Sequence, residues 1–261
     1  GILLALGTVG KASGDEELID FAGRGLDHLA RQAVKMADIS RREKLLKGVA
    51  GVDAGAFGAI GGPIYALAQG AALYGRWDWA DAARGLLAPL VALTLESEET
   101  DIISGAAGGL LVSLAVAAHD PRALDAARVC GKRLGELAVA DAGVMRWPNS
   151  LAQSGSLVGF SHGSLGIAVA LAALADRTHD GEHWALVRGA LDHERRHFDA
   201  DTGDSADLRD LATDRQGAMR AWCHGAAGGA LGRHRLLAMG SADIDRARTE
   251  DEMRRAALAV A

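Results

Sequence analysis

The chain has 261 residues, with 28 Lys+Arg against 34 Asp+Glu, a formal charge of −6, 49% hydrophobic and 24% charged residues. A chain of this size can bury one sizeable core. Its pI near 5.8 and lack of any run of five basic residues exclude partners bound by neutralising phosphate, whether nucleic acid or an anionic membrane surface.

Cys130 and Cys223 are the only cysteines, so there is no disulfide framework and a reducing, cytoplasmic setting is expected. Glycine is the compositional outlier, at 34 residues about twice the usual ~7% share, while proline numbers 4 and aromatics reach 4%. A collagen period is absent, and the alternation that marks strands is missing from nearly every segment, so the expected fold class is all-α. The most apolar stretches, Gly105 to Ala118 and Leu157 to Ala175, are too short for a bilayer or are interrupted by Gly, Ser and His162. The chain begins with Gly1-Ile2-Leu3-Leu4, so a signal peptide is neither readable nor excluded.

Along the chain, a glycine cluster followed by an apolar run recurs. It starts as Gly1-Ile2-Leu3-Leu4 and returns as Gly61-Gly62-Pro63-Ile64, Gly105-Ala106-Ala107-Gly108-Gly109, Gly163-Ser164-Leu165-Gly166 and Gly225-Ala226-Ala227-Gly228-Gly229. Taking Gly1, Gly62, Gly108, Gly166 and Gly228 as equivalent gives steps of 61, 46, 58 and 62 residues, room for a helix pair each. The helix after each glycine cluster is small and apolar, as a helix buried on all sides should be. The second is amphipathic, and is predicted over Asp15 to Met36, Trp79 to Glu96, Arg122 to Ala138, Glu182 to Phe198 and Ile244 to Ala259. Asp78, Asp120-Pro121 and Ser241 stand where caps of outer helices are expected, and Pro89 predicts a kink or break. The pattern describes an α/α toroid in one domain spanning residues 1–261, with the GxxG turns at one mouth.

Three motifs share this register. Asp101 stands four residues before Gly105, His162 directly precedes Gly163, and Trp222-Cys223-His224 precede Gly225. Singly, each has a bland explanation: an N-cap, a satisfied polar histidine, a packed thiol. Their common register instead brings a carboxylate, an acid/base and a soft metal ligand to one rim. Thiolate and imidazole suit zinc, but a catalytic zinc takes three protein ligands, and chain neighbours such as Cys223 and His224 seldom both reach one ion. Cys130 lies mid-helix, off the register, and reads as structural; His28, His119, His179, His183, His193, His197 and His234 are not ligand candidates.

At these motifs the chain resembles the lanthionine synthetase C-like family, and more closely the C-terminal cyclase domain of class II lanthipeptide synthetases. Gly159-Phe160-Ser161-His162-Gly163 is similar to the family's His-Gly repeat, and Trp222-Cys223-His224-Gly225 to its first zinc-cysteine repeat. Gly55-Ala56-Phe57 with the Gly61 cluster, and Asp101 to Gly108, resemble two earlier repeats, while Glu194-Arg195-Arg196-His197-Phe198 and Asp207-Leu208-Arg209 echo the class II spacer. The resemblance implies a lanthipeptide cyclase: zinc-dependent addition of peptide cysteine thiols to dehydroalanine or dehydrobutyrine in a dehydrated precursor peptide, forming (methyl)lanthionine. It further implies Cys223 as a zinc ligand, His162 as the acid/base, Asp101 as its orienting partner or second proton carrier, and His224 and Trp222 as lining.

Departures from the pattern imply a fragment. The other Cys-His zinc pair is expected after Ala261, the first repeat is cut at Gly1, and an upstream dehydratase domain is expected in the full-length protein. The ring is then incomplete, with apolar inner-helix surface exposed on both flanks. Ser205-Ala206 replaces the family's usual Trp-Pro before Asp207. Two other readings are a non-catalytic thiol- or peptide-binding module on the same fold, and a glycoside hydrolase on an α/α toroid. The latter needs paired carboxylates, and Asp101 is the only acid in register.

Overall fold

The computed structural model describes residues 1–37, 53–149, 151–152, 155–209, 220–239 and 242–261. As the glycine register predicts, the fold is helix pairs. The inner helices are α1 (Ile2–Ser13), α3 (Gly61–Tyr74), α6 (Ala106–Ala117), α8 (Ser164–Thr178) and α10 (Ala226–Ala238). Each packs on the next in that order. The outer layer is α2 (Glu16–Ala37), α4 (Trp77–Gly85), α5 (Leu87–Glu96), α7 (Leu124–Leu137), α9 (Gly181–Arg196) and α11 (Arg246–Leu258). This is the all-α, toroid-type arrangement of inner and outer helices.

Burial follows the two sequence patterns. In α8, Ser164 to Ala172 are buried without a break, whereas α9 buries a stripe at Trp184, Val187, Leu191 and Glu194. On α1 and α2 at one end of the series, Ile2, Val9, Phe21 and Val34 remain exposed, as do Leu231 and Leu258 on α10 and α11 at the other. Among the described residues, no helix is long and apolar enough to cross a membrane.

Polar side chains fix the layers. Trp79 is buried beneath Arg76 and donates its indole N–H to Asp27 Oδ1 at 2.9 Å, tying α4 to α2. Glu252 joins three helices by accepting from Arg195 at 2.9 Å and from Arg233 and Arg248 at 3.1 Å. Cys130 is fully buried, its Sγ 3.7 Å from Thr94 Oγ1, and burial pushes its thiol up to about 11.

Several boundaries differ from the sequence expectation. The outer helix predicted from Trp79 to Glu96 is two helices, and the break falls at Leu86 instead of at Pro89. Pro89 is the third residue of α5, where backbone amides have no intrahelical partner and a missing N–H costs nothing. Asp78 does not precede its helix; it lies in the first turn of α4 and pairs with Arg76 at 2.8 Å. Asp120 caps a 3-10 turn, Pro121–Ala123, that leads into α7. Ser241 lies outside the described residues, and Asp245 caps α11 through Arg248 N–H.

The sequence reading contains no strand, yet β1 (Val139–Asp141) pairs antiparallel with β2 (Val144–Arg146). Ala142 and Gly143 turn the hairpin with φ of 47° and 85°, the two positive values that a tight two-residue turn needs. Strand β2 packs on α9, where a Cβ on Gly189 would lie 2.5 Å from Met145 Cγ.

Candidate active site

Three inner helices begin with one backbone device. The amides of Gly108, Gly166 and Gly228 donate to the carbonyls of Asp101 (3.1 Å), Gly159 (3.3 Å) and Ala221 (3.2 Å), folding each preceding loop over the helix start. A Cβ on these glycines would lie 2.1, 2.0 and 2.2 Å from the carbonyl oxygens of Ile102, Phe160 and Trp222, so no side chain fits. In the second unit the equivalent residue is Gly61, whose Cβ would lie 2.1 Å from Gly55 O; Gly62 meets only Ala56 O at 3.7 Å. The register taken through Gly62 is therefore off by one residue.

The loops are also joined sideways. Ala56 N–H donates to Ile102 O (2.9 Å), Ile102 N–H to Ser161 O (3.1 Å), and both the amide and hydroxyl of Ser161 to Cys223 O (3.1 Å each). Asp101, His162 and Cys223 thus lie on three loops stitched edge to edge.

His162 Nδ1 is 2.5 Å from Asp101 Oδ2. Asp101 is 2% exposed, and its other oxygen accepts from the Ser104 amide at 2.8 Å and the Ser104 hydroxyl at 3.2 Å. A carboxylate only accepts, so the proton in this contact lies on Nδ1 of His162, and in the neutral ring the lone pair is then on Nε2. The His162 side chain is 23% exposed, enough for a substrate to meet it.

His224 is buried and stacks on His162 with ring centroids 5.9 Å apart. Burial and the nearby Arg209 charge hold its imidazole below the usual range. Arg209 pairs with Asp207 at 2.5 Å, and its own pKa is raised chiefly by Asp207, with a smaller contribution from Cys223. Cys223 is half-buried and free. Trp222 is 40% exposed and sets its ring edge-on to Phe57 and Phe160, at 5.6 and 5.8 Å.

Sequence reasoning missed Asp53 and Glu99. Burial raises both carboxyls, and each also feels the charge of Asp101. Asp101 is therefore not the only acid at this rim. Asp53 lies nine residues before Gly62, outside the positions compared, and Glu99 ends the acidic run Glu96-Ser97-Glu98-Glu99, which reads as solvated surface.

A family model described as lanthionine synthetase C-like protein matches residues 1–260. The chain belongs to the lanthionine synthetase C-like family. A comparison with curated proteins finds no match. Membership removes the ground for a glycoside hydrolase; of the extra acids, Asp53 feels the charge of Asp101, and Glu99 those of Asp101 and His162. Zinc fits this lanthionine synthetase C-like chain only in part. Cys223 offers a soft donor, but no three His, Cys, Asp or Glu among the described residues converge as a metal site.

Behind the His162 loop, His193 contacts the Ser164 hydroxyl at 3.0 Å through Nδ1 and that of Ser156 at 3.4 Å through Nε2. Burial, then the charges of His197, Arg146 and Arg196, lower its pKa from 6.5 to about 4. Between those values the unfolded chain takes up a proton that the folded chain refuses, so this contribution is complete above pH 6.5 and is lost as pH falls toward 4. Urea unfolding at pH 7 and pH 5 should show a loss of stability on acidification that is smaller in His193→Gln. Glu194 titrates with the opposite sign in both proteins, since burial raises its carboxyl, so the difference between them isolates the imidazole.

Proposed function

We propose that this chain is part of the cyclase domain of a class II lanthipeptide synthetase, adding peptide cysteine thiols to dehydroalanine or dehydrobutyrine. The observation that carries the reading is the Asp101–His162 pair, 2.5 Å apart across two adjoining loops, the second of which is bonded directly to that of Cys223. In the addition a sulfur–carbon bond forms at the β-carbon, the double-bond electrons pass to the α-carbon as an enolate, and the thiol proton ends on that carbon. No oxidant or co-reactant is needed. A single base with one free nitrogen can take the proton from sulfur and return it to carbon, and Asp101 steadies the imidazolium between the two events. Phe57 and Trp222 offer exposed aromatic surface beside this point for the flanking residues of the peptide.

Zinc would lower the pKa of the substrate thiol, and Cys223 would be one of its ligands. In this reading the other two ligands are a Cys-His pair in a following Cys-His-Gly repeat, and the steps assigned to His162 and Asp101 do not pass through the ion. A dehydratase domain upstream, a dehydrated precursor peptide as partner and a cytoplasmic setting complete the proposal.

The test is a peptide bearing one cysteine and one dehydroalanine, incubated with zinc and the polypeptide extended through that repeat. Cyclisation removes the free thiol without changing the mass, which alkylation and mass spectrometry detect. Zinc binding with no loss of thiol would assign the protein to a binding module instead. Residues 1–261 alone should hold zinc no better than an isolated cysteine does in competition with a chromophoric chelator, because one thiolate does not make a site. A tight site in residues 1–261 that survives Cys223→Ala would place the metal elsewhere.

A further inference from the structure

Glu194 has no solvent exposure, although it sits on an outer helix within the run Glu194-Arg195-Arg196. Burying a carboxylate is expensive unless donors surround it. Its Oε1 accepts three hydrogen bonds, from Gly159 N–H at 2.9 Å, Leu165 N–H at 2.9 Å and Ser164 Oγ–H at 2.7 Å. Gly159 stands three residues before His162, and Ser164 and Leu165 stand two and three residues after it. One oxygen therefore closes the base of the turn that carries the imidazole. Ser164 and Leu165 open α8, where amides lack intrahelical acceptors, so the carboxylate answers a need that the helix start creates. Arg233, fully buried on α10, contributes a compensating positive charge and is itself anchored to Glu252 at 3.1 Å.

The top of the same turn is held separately. Ser161 bonds to Ile102 and Cys223, and His162 meets Asp101. A contact of 2.5 Å tolerates little displacement of either partner. At the base of the 159–165 turn, Glu194 adds a charged acceptor to two backbone bonds, Gly166 N–H to Gly159 O at 3.3 Å and Ser164 N–H to Leu157 O at 3.1 Å.

We propose that Glu194 is a positioning residue for His162: it closes the turn so that Nδ1 stays on Asp101 and Nε2 faces the mouth. Its bearing on catalysis rests on the cyclase reading, whereas its bearing on the imidazole does not, and the experiment separates the two. In the zinc-free chain labelled with 15N-histidine, the His162 Nδ1 proton bonded to Asp101 gives a low-field NMR signal, assigned by its loss in His162→Asn. Glu194→Gln keeps the shape and the accepting oxygen but drops the charge, and should speed solvent exchange of that proton by about tenfold, the scale of weakening a charge-assisted hydrogen bond. Glu194→Ala should broaden the signal away at temperatures where circular dichroism still shows native helix. Leu171→Ala, a deletion at a fully buried position further along α8, destabilises without touching the turn and should leave the exchange rate unchanged. If Glu194→Ala does not fold, Glu194→Gln alone decides. Unchanged exchange in a folded Glu194→Gln, or equal acceleration in Leu171→Ala, would reduce Glu194 to a structural role and overturn the proposal. In the cyclising polypeptide the expected companion result is a lower kcat at unchanged KM for Glu194→Gln. Loss of the cyclase reading would leave the NMR result standing.

Discussion

Gly166→Ala should destabilise the protein by about 3 kcal/mol or more, while Gly62→Ala should cost much less. The two positions look alike in sequence, each a glycine at the start of an apolar helix. At Gly166 the new methyl would stand 2.0 Å from Phe160 O and 2.8 Å from Ile102 Cδ1. The end of the Ile102 side chain can turn away, but the Phe160 carbonyl cannot. Phe160 belongs to the turn stitched to Ile102, Cys223 and Glu194, and α8 is buried almost all round. At Gly62 the methyl meets Ala56 O at an ordinary 3.7 Å, and the helix propensity gained by alanine is set against the crowding of its Cβ by the ring of Pro63. Thermal or urea unfolding of the two variants measures the contrast. Equal effects would mean that the close approach of loop and helix does not govern this end of the molecule.

The helix pairs could be read from sequence because inner and outer helices obey different patterns, and because glycine marks each inner start. The register was legible only to within one residue, since adjacent Gly61 and Gly62 are distinguished by which one lies against Gly55 O. The hairpin escaped because strands of three residues offer too little alternation to count. Glu194 escaped for a different reason. Set beside two arginines on an amphipathic helix, it has the signature of a solvated charge, and only the packing of α9 against α8 turns it inward. Asp101, His162 and Cys223 were legible as candidates because each stands within a few residues of an equivalent glycine cluster, which is a one-dimensional signal. Charges such as Asp53 and Arg209 reach the same loops at other offsets.

In the cyclising polypeptide, His162→Asn should slow thiol addition by about a hundredfold or more, the scale of losing a general acid/base. Asp101→Asn should cost nearly as much, although it removes no group that touches substrate. An asparagine amide turned toward Nδ1 donates where the carboxylate accepted, which moves the imidazole proton to Nε2 and blocks the nitrogen that must act as base. The asparagine oxygen can still accept from the Ser104 amide, so the loop should keep its shape and the melting temperature should change little. Two groups that work as one unit give non-additive losses, and the double variant should be no slower than His162→Asn alone. Zinc affinity should be unchanged in all three, because neither residue is a proposed ligand. Initial rates with the single-dehydroalanine peptide, read by alkylation of residual thiol, supply the cycle. Multiplicative losses in the double variant would show Asp101 and His162 acting on separate steps, with Asp101 itself carrying a proton.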